Sequence, residues 1–178
     1  LILKGELNGE LEYIKITDAG LNLDNQTATL GLNIEGLKDW LINSNKENLK
    51  VKLTAKVPEL ETDKLSRFWP KYFGTKAWAW CKENLFGGKI KNGDFAFNFA
   101  YDKKLKAMAF DSLSGVADIE DGNLTYLDTM PKVSNIYGKA SFSEKNIRID
   151  LNKAKSDDVV LNYGYVDLYD LNKEDNFL

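Results

Sequence analysis

Asp94-Phe95-Ala96-Phe97-Asn98-Phe99-Ala100-Tyr101-Asp102 alternates an aromatic ring with a small or polar residue. Only an extended backbone sends every second side chain to one face, so the stretch reads as a strand with four rings on one side. A face that apolar needs a cover, whether protein or something else.

The period of two recurs outward in both directions. Upstream, Leu1, Leu3, Leu7 and Leu11 share a parity, and Ile14 and Ile16 switch it, which predicts a bulge or turn near Glu12. Leu21 and Leu23 follow, then a turn at Asp24-Asn25, then Ala28, Leu30, Leu32 and Ile34. After a short helix around Leu37 to Ile42, the run from Leu49 to Val57 reads as a strand that Pro58 ends. Downstream, Met108 and Phe110 follow a turn at Asp102-Lys103-Lys104, and Asp121-Gly122 predicts a hairpin turn between Val116–Ile119 and Leu124–Leu127. Met130-Pro131 interrupts the pattern. It resumes with Ile136, Gly138, Ala140 and Phe142, then Ile147 to Leu151, then Leu161, Tyr163 and Tyr165.

Residues 58–88 are different. Thr62 or Asp63 can cap a short helix carrying Leu65, Phe68 and Trp69, and Pro70 closes it. Thr75 can cap a second helix with Trp78, Cys81 and Leu85 along one stripe, and Gly87-Gly88 supplies a left-handed stop. The chain thus divides into a strand-rich lead-in (1–57), a helical insert (58–88), a second strand-rich part (89–171) and a polar tail (172–178), within a single segment of a larger protein.

This predicts on the order of ten strands in an antiparallel meander. Two short helices cannot cover so large an apolar face. A sandwich, a closed barrel, and a curved sheet holding something that is not protein all remain open on the residues alone.

Composition narrows function mainly by exclusion. The 178 residues, 43% hydrophobic and 29% charged, describe a folded chain. Its net charge of -3, with Arg only at Arg67 and Arg148, leaves no basic stripe for nucleic acid. The absence of His removes His-based triads and His-ligated metals. Cys81 stands alone and reads as a small buried apolar residue. No window approaches the roughly 18 apolar residues of a membrane span. The chain starts inside an alternation without Met, so it is expected to be a piece of something longer whose anchor lies elsewhere.

Each feature that invites chemistry has a plainer reading. Asp118, Glu120 and Asp121 lack the spacing of a calcium loop and read as a solvated strand end, and Asp157-Asp158 reads as a polar turn. Trp69, Trp78 and Trp80 with Lys71, Lys76 and Lys82 suit an interface with membrane or sugar, or simply pack the helices on the sheet. Gly87-Gly88 follows a helix, whereas a phosphate cradle precedes one. No acid and base pair marks an enzyme, and no residue set implies a cofactor or metal.

The insert also carries a family likeness. Trp69-Pro70, Ala77, Trp80, Asn84-Leu85, Gly87-Gly88, Ile90 and the strand Phe95 to Phe99 resemble the YhdP-type branch of the AsmA-like superfamily. The likeness continues in Leu124 to Leu127, Met130-Pro131, Ile136-Tyr137-Gly138, Phe142, and Val166-Asp167-Leu168 with Asp170-Leu171. It covers roughly Leu49 to Leu171. Cys81, where an aliphatic residue is more usual, and the scarcity of Arg depart from the pattern.

The resemblance implies a Gram-negative envelope protein, anchored in the inner membrane and extending through the periplasm. Its long, twisted antiparallel sheet would curl into an open groove, with a short two-helix insert near residues 62–87. Such bridge-like proteins are linked to phospholipid movement toward the outer membrane and to its integrity, without catalytic residues. On this reading Val51, Leu53, Phe95, Phe97, Phe99, Phe142, Ile149 and Tyr163 line the groove. Trp69, Pro70, Trp78, Trp80, Gly87 and Gly88 build the insert as an elbow or partial lid. An acyl chain of about fourteen methylenes at about 0.8 kcal/mol each gains on the order of 11 kcal/mol from such a face. The partners implied are phospholipid acyl chains, possible envelope proteins at either membrane, and no nucleic acid. Two rivals are a scaffold for outer-membrane protein assembly that uses open sheet edges, and a β-sandwich spacer.

Overall fold

The computed structural model describes residues 3–23, 26–68, 75–125, 131–143 and 146–169. In chain order the elements are β1 (Leu3–Leu7), β2 (Tyr13–Leu23), β3 (Gln26–Glu35), α1 (Leu37–Asn43) and β4 (Lys50–Glu61). A 3-10 turn (Thr62–Lys64), α2 (Leu65–Phe68), α3 (Thr75–Asn84) and β5 (Leu85–Phe86) form the insert. Then come β6 (Lys89–Asp102), β7 (Ala107–Leu124), β8 (Val133–Ser143), β9 (Ile147–Ser156), β10 (Val159–Leu161) and β11 (Gly164–Leu168).

All eleven strands belong to one open sheet, in the order β1-β2-β3-β4-β6-β7-β8-β9-β10, with β11 also on β9 and β5 on β7. Neighbours are mostly consecutive, and the ladders with described register are antiparallel, as short connections require. The mainly β reading therefore holds, and the sandwich and the closed barrel give way to the open sheet.

Several local expectations need correction. Pro58 does not end β4, which runs on to Glu61. The β3–β4 ladder stops at Thr29↔Lys56, so the missing Pro58 N–H leaves no gap in it. Asp121-Gly122 is not a hairpin turn but an interior point of β7, where Asp121 has a φ of 57°. An Asp-Gly pair satisfies a bulge as well as a turn, because both need a left-handed residue. Thr62 and Asp63 lie within a 3-10 turn that precedes α2, and the N-cap position of that turn is Glu61, without a side-chain hydrogen bond. Tyr163 sits in the bend between β10 and β11, not in a strand. Trp69, Pro70, Asp24-Asn25, Met130 and the tail from Asn172 lie outside the described residues.

The chain forms two compact units, Leu1–Val57 with Asp94–Ser114, and Pro58–Gly93 with Gly115–Leu178. The second has the conventional core. Ile119, Leu124, Ile136, Ala140, Ile147, Ile149, Leu151 and Ala154 are buried together, with Trp80, Leu85, Val133, Phe142 and Val166 packed against them. The ladders explain the grouping: Ala140 faces Ile149, Phe142 faces Ile147 and Val166 faces Ile149, all on one side of the sheet.

Candidate functional site

Among the described residues the first unit has no comparable cluster of buried residues. Leu7, Ile14, Ile34 and Val51 form one cross-strand row, with Leu7 paired to Ile14, Ile14 to Ile34 and Ile34 to Val51. The next rows are Ile16-Leu32-Leu53, Ala19-Leu30-Ala55 and Leu21-Ala28. Directly paired residues share a face, so these rows make a continuous apolar surface across β1 to β4. On it only Ala28 is buried. Ile14, Ile16, Leu30, Leu32, Ile34, Val51, Leu53 and Ala55 stay half-buried.

The aromatic strand β6 borders this surface through β4. Asn33, Glu35, Lys50 and Lys52 occupy the opposite, polar face through the pairs Asn33↔Lys52 and Glu35↔Lys50. They line a shallow hollow of about 370 Å³ with Asn98, Ala100 and Asp111, completed by Val51 and Phe99. Asn98 also donates to Ser112 Oγ at 3.0 Å. Along β6, alternation puts Phe95, Phe97, Phe99 and Tyr101 on one face and Asn98 and Ala100 on the other. Phe99 meets Phe110 edge-on, with centroids 5.9 Å apart, a favourable aromatic geometry.

Of the proposed lining residues, Val51, Leu53, Phe95, Phe97 and Phe99 lie in the first unit, with the two β4 residues in its apolar rows. Phe142 and Ile149 belong to the second unit, where Ile149 is 5% exposed in the closed core. Tyr163 is 87% exposed outside any strand. Ile14, Ile16, Leu30, Leu32 and Ile34 share the rows of Val51 and Leu53 and were not among the residues expected there. Their alternation was visible, but membership of the face needs the register of β2 and β3.

The insert is anchored residue by residue. Trp80 packs on the second unit's core, and Trp78 Nε1 donates to the Ser66 carbonyl at 3.4 Å with Lys82 Nζ 5.0 Å over its ring. Asn84 accepts Thr125 N–H at its carbonyl at 2.9 Å, tying the helix end to β7. Gly87 and Gly88 have φ of 61° and 69°, and Gly87 N–H donates to Asp63 Oδ1 at 3.0 Å. A cavity of about 270 Å³ between these pieces is lined by Leu65, Trp78, Cys81, Leu85 and Phe86, with Thr62, Asp63, Ser66 and Lys82 supplying its polar groups. Burial pushes the Cys81 thiol up to about 12.

The acids are engaged structurally. Asp118 accepts from Asn92, Asp121 from Asn135, and Glu120 pairs with Lys91. The bond to Glu120 raises Lys91, and the hydrogen bond from Lys89 lowers Glu59. Among the described residues no group of three or more His, Cys, Asp or Glu side chains is placed to hold a metal.

The sequence matches the family described as YhdP protein over residues 6–178. The chain belongs to the YhdP family. No curated protein and no solved structure matches it. The match extends the likeness read from the insert upstream to residue 6 of the strand-rich lead-in, so the apolar rows of β2 to β4 are themselves part of the YhdP family region. No helix of the described residues is long and apolar enough to cross a membrane.

Proposed function

We propose that this chain is a periplasmic segment of an inner-membrane-anchored envelope protein that carries phospholipid acyl chains toward the outer membrane. The observation that carries the reading is the apolar face of the first unit, ordered in cross-strand rows whose residues are mostly half-buried. A sheet face of this kind in water is unfavourable, and acyl chains are a cover that is itself mobile. Lipid headgroups stay in water. The protein supplies no chemistry, in keeping with a sequence that lacks His and acids that serve the sheet. Rows of similar residues also supply no direction, because a track of uniform affinity shifts no equilibrium. The drive lies outside this segment.

Native mass spectrometry with lipid extraction, on protein purified from bacterial envelopes, tests the reading. Near-stoichiometric phospholipid, lost in a folded Phe97→Asp variant, is the expected result. A folded wild-type protein without lipid overturns it and favours the scaffold reading. That second reading has one observation of its own: the β10 strand at the sheet edge exposes Val159 and Val160, a surface that an extended partner strand could join.

A further inference from the structure

Three connections of the first unit meet at one end of its strands: the β1–β2 turn, the α1 connection from Gly36 to Leu49, and the β6–β7 turn. Gly36 N–H donates to the Glu12 carbonyl at 3.1 Å, Lys38 Nζ reaches Glu10 Oε2 at 3.4 Å, and Lys103 Nζ reaches Glu47 Oε2 at 2.8 Å. Leu37 and Leu49 are buried within this end. Its outer side is apolar and wet: Trp40 is 39% exposed, Leu41 57%, Ile42 66%, Leu105 69% and Leu7 61%.

The arrangement of these side chains selects the occupant. Trp40, Leu41 and Ile42 are consecutive, so they fan around a short helix instead of forming the single stripe that a protein groove would bury. Leu105 projects from a separate turn, bracketed by Lys103, Lys104 and Lys106. An apolar fan and an apolar loop tip flanked by Lys suit a medium that surrounds them, the boundary between headgroups and acyl chains.

The charges agree. Glu10 and Glu47 are taken up by Lys38 and Lys103, and the Asp39 oxygens by the side-chain amides of Asn43 and Asn48. Asp102 Oδ1 accepts the backbone N–H groups of Lys104 and Leu105. The acids are thus turned into local bonds, whereas Lys104 and Lys106 have no ion pair among the described residues. Finally, Leu7 starts the last apolar row at this end, Leu7-Ile14-Ile34-Val51.

We propose that this end is a membrane-docking tip that seats Trp40, Leu41, Ile42 and Leu105 in the headgroup boundary of an anionic phospholipid bilayer. Docking there would set the last row of the apolar face against the bilayer from which it is loaded. That second step rests on the lipid-carrying reading; the docking itself does not.

Flotation with vesicles of phosphatidylethanolamine and phosphatidylglycerol tests it. The purified protein should float with them, and Trp40→Ser/Leu41→Ser/Ile42→Ser should lower partitioning by roughly tenfold or more with an unchanged circular dichroism spectrum. Leu105→Ser, in a turn, gives an independent reading if the triple variant misfolds. Lys104→Glu/Lys106→Glu should weaken binding to these vesicles and leave binding to phosphatidylcholine vesicles unchanged. Wild-type protein that stays unbound, or folded tip variants that float like wild type, would overturn the proposal. So would a lipid-free dimer that the tip variants dissociate, which would assign the surface to a second copy of this chain. Lipid load measured alongside separates the two ideas. Phe97-dependent load without vesicle binding sinks only the docking tip, and tip-dependent binding without any load sinks only the lipid track.

Discussion

Asn92 Nδ2 donates to Asp118 Oδ2 at 2.8 Å, from a residue whose backbone is left-handed in the middle of β6, with φ 51°. Such a residue adds one position to its strand and flips the alternation. Ile90 is buried before it at an even number and Gly93 after it at an odd one, and the rings Phe95, Phe97 and Phe99 follow in the odd parity. The device repeats beside it. Asp121, at φ 57°, moves the buried side of β7 from Ala117 and Ile119 to Gly122 and Leu124. Asp121 accepts from Asn135, itself at φ 51° in β8, with a 2.8 Å bond. Asn and Asp tolerate this conformation better than other non-glycine residues, and each side chain then bonds to the neighbouring strand.

Replacing Asn92 should separate backbone strain from hydrogen bonding. Asn92→Ala keeps a Cβ at positive φ without the compensating amide, and should destabilise the protein by about 1–2 kcal/mol. Asn92→Gly loses the same bond and relieves the strain, so it should cost less, about 1 kcal/mol or below. Urea unfolding of both variants checks this. Equal losses would mean that the left-handed backbone is not strained there.

The paired glycines should respond unequally. Gly88 has φ 69°, and a Cβ there would run into the backbone carbonyls of Glu120 and Asp121, which cannot move without breaking into β7. At Gly87, φ 61°, the first obstacle is the Asn123 side chain at 2.7 Å, which can swing away. Gly88→Ala should therefore cost about 3 kcal/mol or more, and Gly87→Ala about 1 kcal/mol. Thermal melts reversing that order would show that β7 yields more readily than a side chain does.

What the residues could tell by themselves follows from the same bulges. Period-two alternation located nearly every strand, and the aromatic run in β6 was readable in its own right. Between bulges parity is reliable, but each left-handed Asn or Asp resets it, and an Asp-Gly step looks alike in a turn and inside a strand. The grouping of the proposed lining residues suffered accordingly. Val51 and Leu53 share a face with Leu32 and Ile34 because of a register that no single strand encodes. Ile149 has the same alternating look and lies instead in the buried core against which Trp80 packs. Which strand segment receives a helical cover depends on contacts distant in sequence, and those are absent from local pattern.

Cys81 should behave as a closed-off thiol. Burial raises it from an ordinary 9.0 to about 12, so the folded protein holds a proton that the unfolded chain releases between those values. Stability should accordingly be unaffected by this group below pH 9 and fall as pH rises from about 9 toward 12. At pH 8 a thiol reagent should react at the rate of unfolding or local opening, and quickly only in denaturant. Fast labelling of the native protein would show that the cavity beside Trp78 admits small molecules to the sulfur.

The two halves of the lining set make the sharpest contrast. Ile149, 5% exposed, is buried in a cluster of apolar side chains. Ile149→Asp should cost more than about 4 kcal/mol and leave the protein largely unfolded. Phe97 is half-buried, so the carboxylate of Phe97→Asp keeps access to water. That variant should stay folded, losing about 1–2 kcal/mol of lateral packing. Far-ultraviolet circular dichroism with urea titration of both variants decides between a covered and an uncovered face at each position. If Phe97→Asp unfolds as completely as Ile149→Asp, the aromatic strand is part of a closed core, and the space assigned to acyl chains is already filled by protein.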